Sequence, residues 1–334
     1  METIKYYKGR PEVPPAKSPV SIPSMVYNKK RDAASYIAGE QLVDAVNVAL
    51  ILNQPLLLTG EPGTGKTQLA YSVGRELGYD VLKFETKSTS AARDLFYTYD
   101  TLRRFHDAQL RVKRRSNEYI SYNAFGAAIL RTREREEVAQ WLPSSFEHDE
   151  PRQSIVLIDE IDKAPRDFPN DLLNEIEGMY FKVAELGMTN EKIEANQEMR
   201  PIIFITSNSE KSLPDAFLRR CIFYDIPFPS RDRLTDIVLS HMADAVDKKH
   251  TWLEDAMDFF LKLREPGRGL DKKPATAELL NWIAYLRKSS IQDSEHLRVK
   301  KGLINSSLSV LFKSKSDQAR ANSILDEWLK ELPR

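Results

Sequence analysis

Cysteine is almost missing from this 334-residue sequence: Cys221 stands alone. A single thiol excludes an intramolecular disulfide and any zinc site built from several cysteines. The five histidines, His106, His148, His241, His250 and His296, show no paired metal-binding spacing. An excess of charge is missing too, with 49 basic residues against 49 acidic ones. Bulk charge therefore recommends neither nucleic acid nor an anionic membrane as partner. No long apolar run is present. The longest uncharged stretch, 45–60, contains Asn47, Asn53, Gln54 and Pro55, so it fails as a membrane span, which needs about 18 apolar residues. The first residues lack an apolar segment of the secretory type. The expectation is a soluble, cytoplasmic protein.

What is present has ordinary globular proportions, 41% apolar and 29% charged. Residues 1–30 carry Pro11, Pro14, Pro15, Pro19 and Pro23, which forbids a helix and predicts an extended, Pro-rich N-terminal arm. Helical periodicity over 35–53 is stopped by Pro55. Short apolar runs at 56–58, 81–84, 155–158 and 202–206 read as buried strands. Helical patterns lie between them at 66–77, over most of 91–135, and at 171–178. Strands alternating with helices predict an α/β fold, a parallel sheet covered on both faces. Past Phe228–Ser230 the pattern turns helical throughout, at 231–247, 252–264, 275–288, 298–312 and 317–331. The predicted division is an arm over 1–30, an α/β domain over 31–229 and a small all-α domain over 230–334.

Gly60-Glu61-Pro62-Gly63-Thr64-Gly65-Lys66-Thr67 fits G-x-x-x-x-G-K-[ST], the phosphate-binding loop, between a strand and a helix. Glycines there let backbone N–H groups turn inward around phosphates, and the following helix start favours negative charge. In this pattern Lys66 reaches the β/γ-phosphates of ATP and the Thr67 hydroxyl ligates Mg²⁺. The strand 155–158 delivers two carboxylates to its C-terminal end. Asp159 is the candidate to hold Mg²⁺, and Glu160 to orient and deprotonate the attacking water. A further apolar strand ends in Thr206-Ser207-Asn208. If it lies between the two motif strands, Asn208 sits near the γ-phosphate; otherwise it caps a turn, as Asn commonly does. Leu213-Pro214-Asp215-Ala216-Phe217-Leu218-Arg219-Arg220 comes next, and either arginine can serve as a finger on a neighbouring subunit's nucleotide.

In order and spacing these four motifs resemble those of AAA+ ATPases. Asp159-Glu160-Ile161-Asp162-Lys163-Ala164-Pro165, followed by Leu172-Leu173-Asn174-Glu175-Ile176-Glu177, resembles the MoxR group, whose pattern is Asp-Glu-Ile-Asn-Arg-Ala-Pro and then Leu-Leu-Glu-Ala-Met. Asp162 and Lys163 depart from it. The resemblance implies a P-loop αβα core with a helical lid, and a homo-oligomeric ring, hexameric in this family, that remodels a protein client with a von Willebrand A-domain partner. It places Asn208 at the sensor-1 position and Arg220 at the finger. Arg219 occupies the family's Asp position, which leaves the choice of finger open. Ala275 stands where the family has its sensor-2 arginine; Arg268, Lys272 and Lys273 are the nearby substitutes.

The family also carries an insert in its second core helix, which matches 88–150. Its centre, 103–136, holds nine basic residues against four acidic ones, and its flanks hold six acidic against one basic. Two readings compete. The insert contacts nucleic acid or an acidic protein, as in a nucleic-acid-directed motor of a restriction or defence system. Or it is a solvated helical hairpin whose aromatics, Tyr97, Tyr99, Phe105, Tyr119, Tyr122 and Phe125, pack on the core. Cancellation of charge by the flanks favours the second. A second insertion, about 180–199, reads as a β-hairpin.

Overall fold

The computed structural model describes residues 36–188, 191–208, 213–242, 246–289 and 291–331. The proline-rich arm lies outside the described residues. The chain divides into two compact units, one spanning Ala38–Pro227 and the other including Phe228–Arg334.

The first unit is built on five parallel strands: β1 (Leu56–Thr59), β2 (Asp80–Glu85), β3 (Ser154–Asp159), β4 (Ile202–Thr206) and β5 (Ile222–Asp225). Their order across the sheet is β2-β3-β4-β1-β5. All of β1 and β3 is buried, as expected of strands covered on both faces. Each leucine of β1 contributes about 2 kcal/mol by leaving water. Helices Glu40–Leu52 and Lys66–Leu77 match their predicted spans closely. Asn53 and Gly78, both in the left-handed region, close them. The strand β5 is not marked by the sequence pattern. It has four residues alternating between half-buried and exposed, with Phe223 57% exposed, as an edge strand allows.

Two stretches differ from the expectation. The stretch 91–135 does carry helices, Thr101–Gln109 and Ala124–Arg131, but it also holds a two-stranded antiparallel sheet, Tyr97–Tyr99 against Ile120–Tyr122, that the pattern does not show. Strands of three residues carry too little alternation to register as a pattern. The aromatic side chains Phe96, Tyr97, Tyr119 and Phe125 do pack into the core, but Phe105 does not. Phe96 stacks on Phe125 and Phe181 at 5.3 and 5.4 Å between ring centres. The predicted helix 171–178 is broken at Leu172 into Phe168–Asp171 and Leu173–Gly178. The short hairpin expected near 180–199 is present, pairing Tyr180–Phe181 with Ile193–Glu194.

The second unit is helical among its described residues, with helices Arg231–Met242, Thr251–Arg264, Thr276–Lys288, Lys301–Leu311 and Lys315–Lys330. Trp252, Trp282 and Trp328 are buried in its core, and the Trp282 ring N–H donates to Ser307 Oγ at 2.7 Å.

Candidate nucleotide site

Strands β1, β3 and β4 are adjacent, so their C-terminal ends bring the motifs together. Ligands of open α/β sheets bind at such strand ends. The condition on Asn208 is met: its strand lies between the two motif strands.

The loop after β1 depends on glycine. Gly60, Gly63 and Gly65 have φ of 133°, 78° and 91°, and a Cβ on Gly60 would stand 2.6 Å from the Ile226 carbonyl oxygen. Glycine alone accommodates both constraints there. Thr64 Oγ1 donates to the Glu61 carbonyl at 2.9 Å. Lys66 opens the following helix, is 6% exposed, and donates to the carbonyls of Gly60 and Glu61 at 2.8 and 3.0 Å. Burial pulls its ammonium below the usual lysine value, against opposing pulls from Asp162, Asp159, Glu160 and Asp225. A buried cation ringed by carboxylates beside a helix start is a setting for a multiply charged anion with a metal.

Asp159 ends β3, is 5% exposed, and accepts at Oδ1 from Thr67 Oγ1 at 2.8 Å and from Thr206 Oγ1 at 2.7 Å. Lys83 Nζ lies 2.8 Å from Asp159 Oδ2. Burial pushes the Asp159 carboxyl up, but hydrogen bonds from Lys83, Thr206 and Thr67 outweigh it and hold the group below the usual carboxylate value. Hydroxyl and carboxylate oxygens are the donors that a hard Mg²⁺ takes, so Thr67 and Asp159 fit that ion.

Glu160 has a φ of 57°, a strained backbone for a residue with a side chain, and its N–H donates to Thr206 Oγ1 at 2.9 Å. Its carboxylate is bonded by Lys163 and, at 3.3 Å, by Asn208 Nδ2. The Asn208 N–H in turn donates to Asp162 Oδ1 at 3.1 Å. Asp162 Oδ2 is buried without a partner among the described residues. Asp162 and Lys163, the two departures from the MoxR pattern, thus bond to Asn208 and Glu160 respectively.

The arginines sit elsewhere. Ile222, just past them, pairs with Leu56 at the start of β1, whereas the phosphate loop leaves its end. Four residues at about 3.3 Å each separate the two levels by roughly 13 Å, beyond one side chain's reach. Arg220 is tied to Glu177 at 3.2 Å and to the Ala216 carbonyl at 3.0 Å. Arg219 is exposed, and its guanidinium has no partner among the described residues. In the helical unit, Arg268 is held by Glu265 and by Glu327, while Lys272 and Lys273 are exposed. Cys221 is half-buried, and burial pushes its thiol up to about 12, which makes it inert. No group of three metal-binding side chains occurs among the described residues.

Sequence reasoning missed Lys83 and Thr206 as parts of this site. Lys83 is opposite Leu157, two residues before Asp159 on the same sheet face, so the diagonal contact follows from strand adjacency. The lone cation within an apolar strand was the available signal.

Three comparisons bear on these residues. The family model described as "ATPase family associated with various cellular activities (AAA)" matches residues 56–229, more than half of the chain. A Lon protease of Halothermothrix orenii is 25% identical over 205 residues, 61% of the chain and 22% of the relative. The chain thus spans about a fifth of that relative's length. Solved structures with a similar fold include the RuvB Holliday junction branch migration motor of Thermotoga maritima, at 16% identity and a TM-score of 0.43, covering 84% of this chain and 69% of that one. NtrX of Brucella abortus, solved in complex with ADP, is 13% identical with a TM-score of 0.49, covering 87% of this chain and 60% of that one. The match spans the phosphate loop, both carboxylates, Asn208 and the arginine pair, and the chain belongs to the AAA family of ATPases.

Proposed function

We propose that the chain hydrolyses ATP at the ends of β1, β3 and β4, as one subunit of a homo-oligomeric ring that remodels a protein client. The observation that carries this reading is the convergence of Lys66, Thr67, Asp159, Glu160 and Asn208 at one end of the sheet, where Thr67 bonds Asp159, Asn208 bonds Glu160 and Lys66 bonds the loop carbonyls. The loop N–H groups and Lys66 bind the phosphates. Thr67 and Asp159 would hold Mg²⁺, which would supply positive charge to the phosphates. Glu160 accepts the proton of the attacking water, and Asn208 keeps its carboxylate turned to that task.

A ring is supported by the arginines. Neither reaches its own phosphate loop, and Arg219 has no partner among the described residues, so we assign Arg219 as the finger and Arg220 as its anchored neighbour. Ile51, 78% exposed, and Phe223 leave apolar surface at the same strand-start end of the sheet. Contiguous exposed apolar surface marks interfaces. The MoxR-like reading, with a von Willebrand A-domain partner, rests on the resemblance at 159–165 and 172–177. The nucleic-acid-directed alternative loses support in the insert. Arg104, Arg114, Arg115, Arg131, Arg133 and Arg135 are engaged by the chain itself.

Two variants test the chemistry. Lys66→Ala abolishes nucleotide binding in an affinity titration; unchanged affinity would remove Lys66 from the site. Glu160→Gln retains ATP binding and loses about 10²–10⁴-fold in turnover, the usual worth of a general base. Near-wild-type turnover would mean that another group takes the proton.

A further inference from the structure

The helix Thr101–Gln109 is inside out. Over its nine residues the buried one is an acid, Asp107, whose carboxylate accepts from Arg114 Nε at 2.8 Å and from the Tyr119 hydroxyl at 3.1 Å. The large apolar side chains face solvent instead: Leu102 is 82% exposed, Phe105 63%, and Leu110, at the helix end, 61%. Leu102 and Phe105 are three residues apart and share a face. A surface helix ordinarily turns such residues to the core. Here the helix is held by a polar anchor and its apolar side is left over.

From 101 to 117 the exposed charge has one sign, and the exposed acid Asp100 precedes the helix as its cap, accepting from the Arg103 N–H. Arg103, Arg111 and Lys113 are exposed, and their side chains have no partners among the described residues. Asp107 is the one acid between 101 and 117, and it is buried and paired. Arg111 adds a φ of 57°, which turns the chain sharply just past the helix.

From this juxtaposition we infer that the helix 101–109 and the segment after it form a docking surface for an unfolded acidic polypeptide segment. Leu102, Phe105 and Leu110 take its apolar side chains, and Arg103, Arg111 and Lys113 pair with its carboxylates. The inference rests on the reading of the chain as a protein-remodelling ATPase and names the client's chemistry. Nucleic acid would use the cations and stack a base on Phe105, but it would leave Leu102 and Leu110 unburied. Interfaces gain most from aromatic and arginine side chains that become desolvated together.

The test is fluorescence anisotropy on the full chain with ADP and Mg²⁺. The probe is reduced, carboxymethylated α-lactalbumin, an unfolded acidic chain, beside reduced, carboxamidomethylated lysozyme, an unfolded basic one. The acidic chain is expected to bind at least tenfold more tightly than the basic one. That binding should weaken at least tenfold in the triple variant Leu102→Ser, Phe105→Ser, Leu110→Ser. It should also weaken in Arg111→Glu, Lys113→Glu, with melting temperatures unchanged. Absence of binding to the unaltered chain, or equal affinity in the variants, would overturn the inference. So would loss, in the same variants, of binding to phosphatidylserine vesicles or a 30-nucleotide strand in place of the acidic chain, or of self-association read as mass. ATP turnover of the unaltered chain, measured without any probe, tests the preceding reading separately.

Discussion

Asp159 shows how one residue's surroundings decide its use. Two hydroxyls share its Oδ1 and one ammonium holds its Oδ2, so the carboxylate plane is fixed before any ligand arrives. Lys83 is therefore a positioning residue for the carboxylate proposed to face Mg²⁺. Lys83→Met removes a charged hydrogen bond from a nearly buried carboxylate and costs about 1.5–3 kcal/mol, read from the denaturant midpoint. The pH dependence carries a sign. Asp159 has a folded value held below the ordinary 3.8, so its stabilisation is present well above that value and is lost as pH falls through the folded one. The difference between wild type and Lys83→Met is thus largest above about pH 5 and shrinks on acidification. A gap that grows in acid would mean that Lys83 does not hold Asp159 ionised.

Among elements, the phosphate loop is fixed as much by its neighbour as by its ligand. Gly60 passes under the backbone just past β5, where the Ile226 carbonyl oxygen leaves no room for a methyl group. Gly60→Ala adds a clash and a disfavoured φ, at about 1–3 kcal/mol, and it displaces the loop. The expected outcome is a lower melting temperature together with lost nucleotide affinity. Unchanged affinity would separate the loop from β5. Elements of this kind divide cleanly by legibility. The strands β1, β3 and β4 are continuous apolar runs, and the helices Glu40–Leu52 and Lys66–Leu77 and those of the second unit carry a full helical period, so pattern alone locates them. The strand β5 does not show, because it is four residues long and half exposed. The hairpin at 97–122 does not show either, since its helix reverses the usual apolar placement. Lys83 and Thr206 acquire their roles only once β2, β3 and β4 are known to be neighbours.

At the scale of the whole molecule, the sheet has two ends with different tasks. One gathers the groups proposed to handle ATP, and the other presents Arg219 away from them. On the proposed assignment of Arg219 as the finger, a lone copy lacks the cation that stabilises charge in the transition state. Mixing Arg219→Ala subunits with Lys66→Ala subunits should restore part of the activity that each lacks alone. The Lys66→Ala subunit supplies Arg219 to the intact phosphate loop of its Arg219→Ala neighbour. No recovery would place the finger in cis or at another residue. Among the described residues, no helix is long and apolar enough to cross a membrane. Steady-state ATP turnover per subunit, measured against protein concentration with mass read alongside, tests the central claim most directly. The account predicts specific activity that rises with concentration and tracks assembly. Full activity in a monomer, independent of concentration, would contradict it.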